Sequence, residues 1–392
     1  MNLKTNNIYT IKLTTITPVS IGDGGVLSPL SDYIYDNGEI CLINHKKFEE
    51  KIEEIYNAGN EEIITEYVNV IKQDTDKDKT KTLRSFIVDN LGVENWKEEL
   101  CFSNTMKSNN RSNPRDIKTC LRNNQEPYIS GSTLKGAIKG ALLCEWLESD
   151  IEGKEEMKVF ADSLDIVYHK KSIERKYTQL ELNLYENIEN TDTYMDFSLF
   201  KVTDTIPFSK FVLSVYNTHR VSIKKDKKSG IPITFQTINK NQSSRFDICI
   251  DKLTDIKNEH LTFLQKDDAI KILFQKINFF SYRLMYEDAG FIREHNSSRF
   301  REHIFFLESH LEELETLSKK PSSTCYIRIG SGKGYLNNSI GIPLLINHFD
   351  EFEKIVRAYY KDADPQKFPS TFTVTNDESQ LPLGWVKLEL ID

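Results

Sequence analysis

The chain has 392 residues, with 51 Lys and Arg against 59 Asp and Glu for a net charge of −8. Its 39% hydrophobic content, including 22 Phe and 17 Tyr, supplies a sizeable core and excludes wholesale disorder. No apolar run reaches the ~18 residues of a membrane span. The six scattered cysteines form no CxxC pair and read as reduced thiols, so a cytoplasmic protein with no membrane partner is expected.

Tyr9–Thr17 alternates as a half-buried strand, and Pro18 stops it ahead of the glycine-bearing IGDGG. Two short extended runs, Tyr33–Tyr35 and Glu39–Ile43, flank Asp36-Asn37-Gly38, where Asn-Gly predicts a hairpin. Asn44 then caps a helix over Lys46–Tyr56. Residues 60–125 read as an insertion, because the charged segment 73–81 and the polar stretch Ser103–Pro114 break the helical period.

A clear helix spans Ser132–Leu147, where Leu134, Ile138, Ala141 and Leu142 form an apolar stripe that ends in Glu145. Residues 153–190 are charged and ambiguous. Phe211–Ile223 and Arg245–Ile250 alternate like antiparallel strands, the first running into the basic tip of Lys224, Lys225, Lys227 and Lys228. Helices follow at Asp267–Tyr286 and Phe300–Leu317. The strand Cys325–Ile329, the helix Phe349–Tyr360 and the strand Trp385–Leu390 complete the chain. Frequent hairpins without a regular strand–helix–strand period predict an α+β fold with antiparallel sheets, not a doubly wound parallel one.

Global acidity argues against a polyanionic ligand, but the charge is unevenly spread. Lys107–Gly140 carries seven cations against two acids, and Pro207–Lys228 six against one, so each stretch is net +5. A polyanion therefore has two basic stretches to meet.

Only 17 residues are glycine, and ten fall in three clusters: Gly22/Gly24/Gly25, Gly131/Gly136/Gly140 and Gly330/Gly332/Gly334/Gly341. Such concentration points either to special backbone geometry or to close approach of a ligand. In the second cluster, Ser130-Gly131-Ser132-Thr133 opens the helix, whose free N-terminal amides favour phosphate. Lys135 and Lys139 lie one turn apart, and Gly136 and Gly140 keep a strip of that helix flat. The stretch fails as a nucleotide-binding P-loop, because Ala137-Ile138 stands where Lys-Ser/Thr is required. The third cluster follows a strand and adds Arg328, Lys333 and Tyr335, a set suited to a nucleic-acid backbone with one base stacked alongside.

Together, the early TPVSIGDGG, the internal ISGSTLKGAIKGALL and the late RIGSGKGY resemble the RAMP superfamily of CRISPR–Cas proteins. Within it the chain is most similar to the Csm effector complex of type III-A systems. The run Gly330–Tyr335 and the terminal LPLGWVKLEL are similar to the subunit that caps the 3′ end of the crRNA. The resemblance implies two ferredoxin-like (RRM-like) domains, taken as 1–205 with a helical insertion at about 45–125, and 206–392. It implies a non-catalytic, sequence-independent crRNA-binding subunit that supports crRNA maturation and needs no cofactor. The implied partners are crRNA, target RNA, the repeated backbone RAMP subunit and other Csm subunits, and host nucleases that trim crRNA. The implied RNA contacts are Gly24, Gly25, Gly131, Ser132, Thr133, Lys135, Lys139, Arg328, Gly330, Ser331, Gly332, Lys333, Gly334 and Tyr335.

A neighbouring RAMP subunit cuts target RNA with an aspartate in the loop after its first strand. Asp23 and Asp32 are the candidates here for a metal-dependent endoribonuclease, the alternative reading. The spacing of Asp32 to Asp36 departs from the nuclease pattern, and a hairpin-capping role suits Asp32 as well. His45, at a helix start, could act as a general base. His295, His303 and His310 complete no metal-ligand set and read as surface or interface side chains. The aromatic residues of Phe274–Tyr286 read as core.

Overall fold

The computed structural model describes residues 7–72, 82–109, 115–164, 170–185, 200–222, 228–250, 256, 258–294, 300–337, 340–360, 363–369 and 371–391. The charged segment 73–81, the basic tip Lys224–Lys227 and His295 lie outside them.

The chain begins with β1 (Asn7–Thr15), followed by β2 (Gly22–Leu27), β3 (Tyr33–Asp36) and β4 (Glu39–Ile43). The β3–β4 hairpin turns at Asn37 and Gly38, both at positive φ (49° and 87°), the geometry that Asn-Gly supplies. Asn44 caps α1 (His45–Asn57) through a hydrogen bond from the Lys47 amide. From there to residue 100 short helices build a lobe around Phe48, Ile63, Phe86, Ile87 and Trp96, a core separate from the main one.

The insertion is expected at about 45–125. Its last third supplies β5 (Cys101–Ser108) and β6 (Ile117–Cys120), both strands of a main sheet. β5 pairs back to β4 and β6 to β2, and their other partners lie a hundred residues later, beyond the reach of local pattern.

Next come α2 (Gly131–Ser149), α3 (Ile151–Ser163) and α4 (Lys170–Tyr185), the last two accounting for most of the described residues in the ambiguous stretch 153–190. Four strands follow: β7 (Phe200–Val202), β8 (Leu213–Ser222), β9 (Lys228–Ile238) and β10 (Ser243–Ile250). The long helices α5 (Ala269–Glu294) and α6 (Arg301–Ser318) lead to β11 (Thr324–Arg328). The chain closes through α7 (Gly341–Asn347), α8 (Phe349–Tyr359), β12 (Thr371–Thr375) and β13 (Trp385–Leu390).

One sheet runs β11-β13-β1-β10-β7 and is antiparallel throughout. The other runs β2-β6-β9-β8-β5-β4-β3 with β12 on β8, and is antiparallel apart from short β5–β8 and β6–β9 contacts. The architecture is α+β, as expected. β1 pairs with both β10 and β13, with Asn7 opposite Ile250 and Ile11 opposite Leu390. Both sheets therefore draw strands from either side of residue 205.

The stripe on α2 is deeply buried: Leu134, Ile138, Ala141, Leu142 and Trp146 are all fully enclosed. Glu145 at its end is a structural group. Burial raises its pKa, but the His260 hydrogen bond (2.7 Å) and the Lys276 ammonium (2.8 Å) outweigh that and hold it at about 2. Phe274 and Phe280 are core, as read, whereas Tyr286 at the end of that run is exposed. His303 is not a surface histidine: it is 2% exposed against Phe300 and Phe372, and burial with the Arg328 charge pushes its pKa down to about 3.

Candidate nucleic-acid interface

The third glycine cluster packs on Pro18–Ile21, the segment just ahead of the first. Gly330, at φ +70°, lies so close to the Ser20 carbonyl that any Cβ would collide with it. The Ser331 amide donates to that same oxygen at 2.9 Å, and the Gly384 amide donates to Pro18 O at 2.9 Å. The Ile329 amide in turn donates to Gly384 O at 2.8 Å. Glycine at 330 is thus a requirement of folding.

Arg328 holds this arrangement from inside. It is 5% exposed, and its Nε donates to Leu383 O (2.9 Å) and its Nη2 to Gly332 O (2.8 Å). Asp288 on α5 is the acid whose field it feels; burial lifts that carboxyl to about 7 against the Arg328 charge. The expectation that Arg328 contacts RNA gives way to a structural role: its donors are spent on carbonyls of the loop. Tyr335 likewise packs edge-on against Phe368 and Phe352, with ring centroids 4.9 and 5.9 Å away, and is not an open stacking platform.

The helix α2, which carries the second cluster, packs against both β11 and α7, the elements before and after the loop of the third. At the start of α2 the phosphate expectation also changes. The Gly131 amide donates to Asp204 Oδ1 at 2.7 Å, and a Cβ there would strike the Val202 carbonyl. Ser130 Oγ accepts from the Thr133 amide (3.4 Å) and bonds the Thr133 hydroxyl (2.8 Å). The helix dipole already has its anion, so Gly131 and Thr133 belong to the fold.

What remains outward is a smaller set. Ser132, Gly136, Lys333 and Gly334 are exposed, and Lys135 and Lys139 are half-buried. Lys139 Nζ lies 4.8 Å from the centre of the Tyr185 ring. Around Gly136 and Gly334 a Cβ would meet nothing within 4 Å, and neither has a positive φ. Lys333 is exposed, yet the surrounding loop and the Arg328 charge behind it lower its ammonium pKa to about 8. Gly24 and Gly25 lie on the exposed strand β2, with Gly24 at φ +86°.

The nuclease candidates are engaged locally. The Asp23 carboxylate accepts from the Thr119 hydroxyl and, at 2.8 Å, from the Gly25 amide. Asp32 accepts from the Ser28 amide (2.7 Å), the hairpin-capping arrangement, and lies 3.2 Å from His45 Nε2. Among the described residues no three His, Cys, Asp or Glu side chains converge to hold a metal ion. No described helix is long and apolar enough to cross a membrane. Sequence reasoning missed Asn104, a buried amide on β5; its signal is an inward position two residues from Met106 in an alternating strand.

The family description "RAMP superfamily" matches residues 12–337 of this chain. A curated protein of Methanocaldococcus jannaschii, the CRISPR system Cms protein Csm5, is 24% identical across 97% of this chain and 89% of its own length. A chain in the cryo-EM structure of a Csm–crRNA–target RNA ternary complex of a type III-A CRISPR–Cas system superposes with a TM-score of 0.70 at 18% identity. That superposition covers 97% of this chain and 100% of the other. The crystal structure of T. onnurineus Csm5 gives a TM-score of 0.64 at 18% identity, covering 96% of this chain and 99% of that one.

Proposed function

This chain belongs to the RAMP superfamily, and from that premise we propose that it is a non-catalytic crRNA-binding subunit of a type III-A Csm complex. In this reading it caps the crRNA 3′ end, supports crRNA maturation, and works in the cytoplasm. Its partners are crRNA, target RNA, the repeated backbone RAMP subunit and other Csm subunits, with trimming left to host nucleases. The Csm5 relative and the superposable chain of an RNA-bound Csm assembly support the reading.

One observation carries it: Gly136 and Gly334 are glycines that folding does not require, and each neighbours a lysine, Lys135 or Lys333. A helix interior loses about 1 kcal/mol by keeping glycine instead of alanine. A sugar–phosphate backbone lying against the helix gives that cost a reason. Ser132, Lys135, Lys139, Lys333 and Gly334, with Gly24 and Gly25 on the β2 edge, form its path. Gly330, Ser331 and Gly332 shape the loop from behind.

Gly136→Ala tests this directly. Thermal unfolding should show a gain of about 0.5–1 kcal/mol in stability, while filter binding shows weaker RNA affinity. A more stable variant that binds RNA as tightly as the parent would remove the reason given for this glycine.

Lys333 supplies a pH signature. Its pKa is lowered to about 8, and a phosphate beside it restores the charged form, so binding takes up a proton. Affinity should fall as pH rises above about 8, with a slope approaching one proton. Lys333→Arg should flatten that fall, and an unchanged slope in the variant would exclude Lys333 from the contact.

A further inference from the structure

We propose that the cavity between the β3–β4 hairpin, β5 and the turn at residues 122–125 receives one unpaired nucleobase of the bound RNA. The proposal rests on the RNA-binding role argued above. The cavity holds about 350 Å³, near the small end of the ~300–1,000 Å³ range of ligand pockets. Leu27, Leu42 and Leu213 line it with apolar surface, and Phe102 offers a half-buried ring.

Asn104 lines the same cavity. It is 5% exposed. A ligand that fills the cavity has to pair with that amide, because buried polar groups are rarely left without a partner. An amide offers one donor group and one acceptor, which matches the alternating donors and acceptors on a base edge. Asp32 and His45 stand 3.2 Å apart in the lining with side chains 24% and 50% exposed, adding a carboxylate acceptor and an imidazole.

Arg122 also lines the cavity and carries a charge suited to the phosphate of the same nucleotide. An isolated phosphate has no use for leucine walls, and an aliphatic ligand leaves the amide unpaired. A flat heteroaromatic ring with polar edges satisfies both. The location fits as well, because Leu27 ends β2, whose Gly22–Gly25 edge lies on the proposed RNA path.

The test uses the full chain and single-stranded RNAs in which one abasic site is moved nucleotide by nucleotide, counted from the 3′ end. One position should stand out, with affinity reduced about tenfold where the base is missing. Asn104→Leu should abolish that position dependence while keeping the remaining affinity. A flat profile on RNA that still binds would overturn the pocket and leave the RNA-binding role intact. So would a dip that persists in a folded Asn104→Leu chain. Failure of the intact chain to bind any of the RNAs would overturn both. If Asn104→Leu does not fold, the abasic profile of the unaltered chain decides.

Discussion

Replacing Arg328 by alanine is expected to cost about 3–6 kcal/mol of stability at pH 8, from two hydrogen bonds of a charged donor at about 1.5–3 kcal/mol each. The change strips Leu383 O and Gly332 O of their donor and leaves Asp288, itself 5% exposed, without its compensating charge. The cost should depend on pH. Asp288 already has its folded-state pKa raised from 3.8 to about 7. Its favourable contribution is therefore complete below about 4, the unfolded value, and is lost as pH rises through the folded value.

Without Arg328 that folded value rises further, so the deficit of the variant widens from pH 5 to pH 8. Chemical denaturation at the two pH values measures it. A loss below about 1 kcal/mol, within reach of an ordinary surface change, would contradict the role of Arg328 as the internal tie of the loop. The same variant should lose RNA affinity, since Lys333 and Gly334 are displayed by the loop that Arg328 holds.

The second large effect concerns affinity. Lys135→Glu combined with Lys139→Glu places two anions where the backbone of the RNA is expected to run. Binding at low salt should weaken by about 100-fold or more, and the dependence of log affinity on log salt should flatten by about 0.7 for each lost phosphate contact. Lys139 also stacks on Tyr185 (4.8 Å), a contact that limits the accompanying loss of stability to about 0.5–1 kcal/mol. Melting curves separate the two effects. A protein-only scaffold, whose glycine loops fit a partner's backbone, predicts RNA affinity unchanged in the double variant.

Much of the fold can be read locally because its signals are local. Asn37-Gly38 carries its own turn geometry, Ser130 and Asn44 cap the helices that follow them, and the strand Trp385–Leu390 sits where its alternation puts it. What escapes local reading depends on distant partners. β5 and β6 look like parts of an insertion until β8 and β9 pair with them. Likewise, β1 gives no hint that it will lie between strands more than 200 residues away.

The glycine clusters show the same divide. Their concentration marks the region, yet sequence cannot tell a glycine pressed against a carbonyl, such as Gly330, from one open to solvent, such as Gly136. Arg328 is the sharpest case. A cation in a glycine loop reads as a phosphate ligand, and only the loop carbonyls it bonds and Asp288, 40 residues earlier on α5, reveal it as an internal tie.

RNA is proposed to run along the outward side of α2 and over the tip of the 329–335 loop. Photocrosslinking of a crRNA carrying 4-thiouridine near its 3′ end, in the assembled complex, tests it most directly. Crosslinked peptides covering Ser132–Lys139 and Ser331–Tyr335 are expected. Efficient crosslinks to this chain that leave both segments untouched would contradict it.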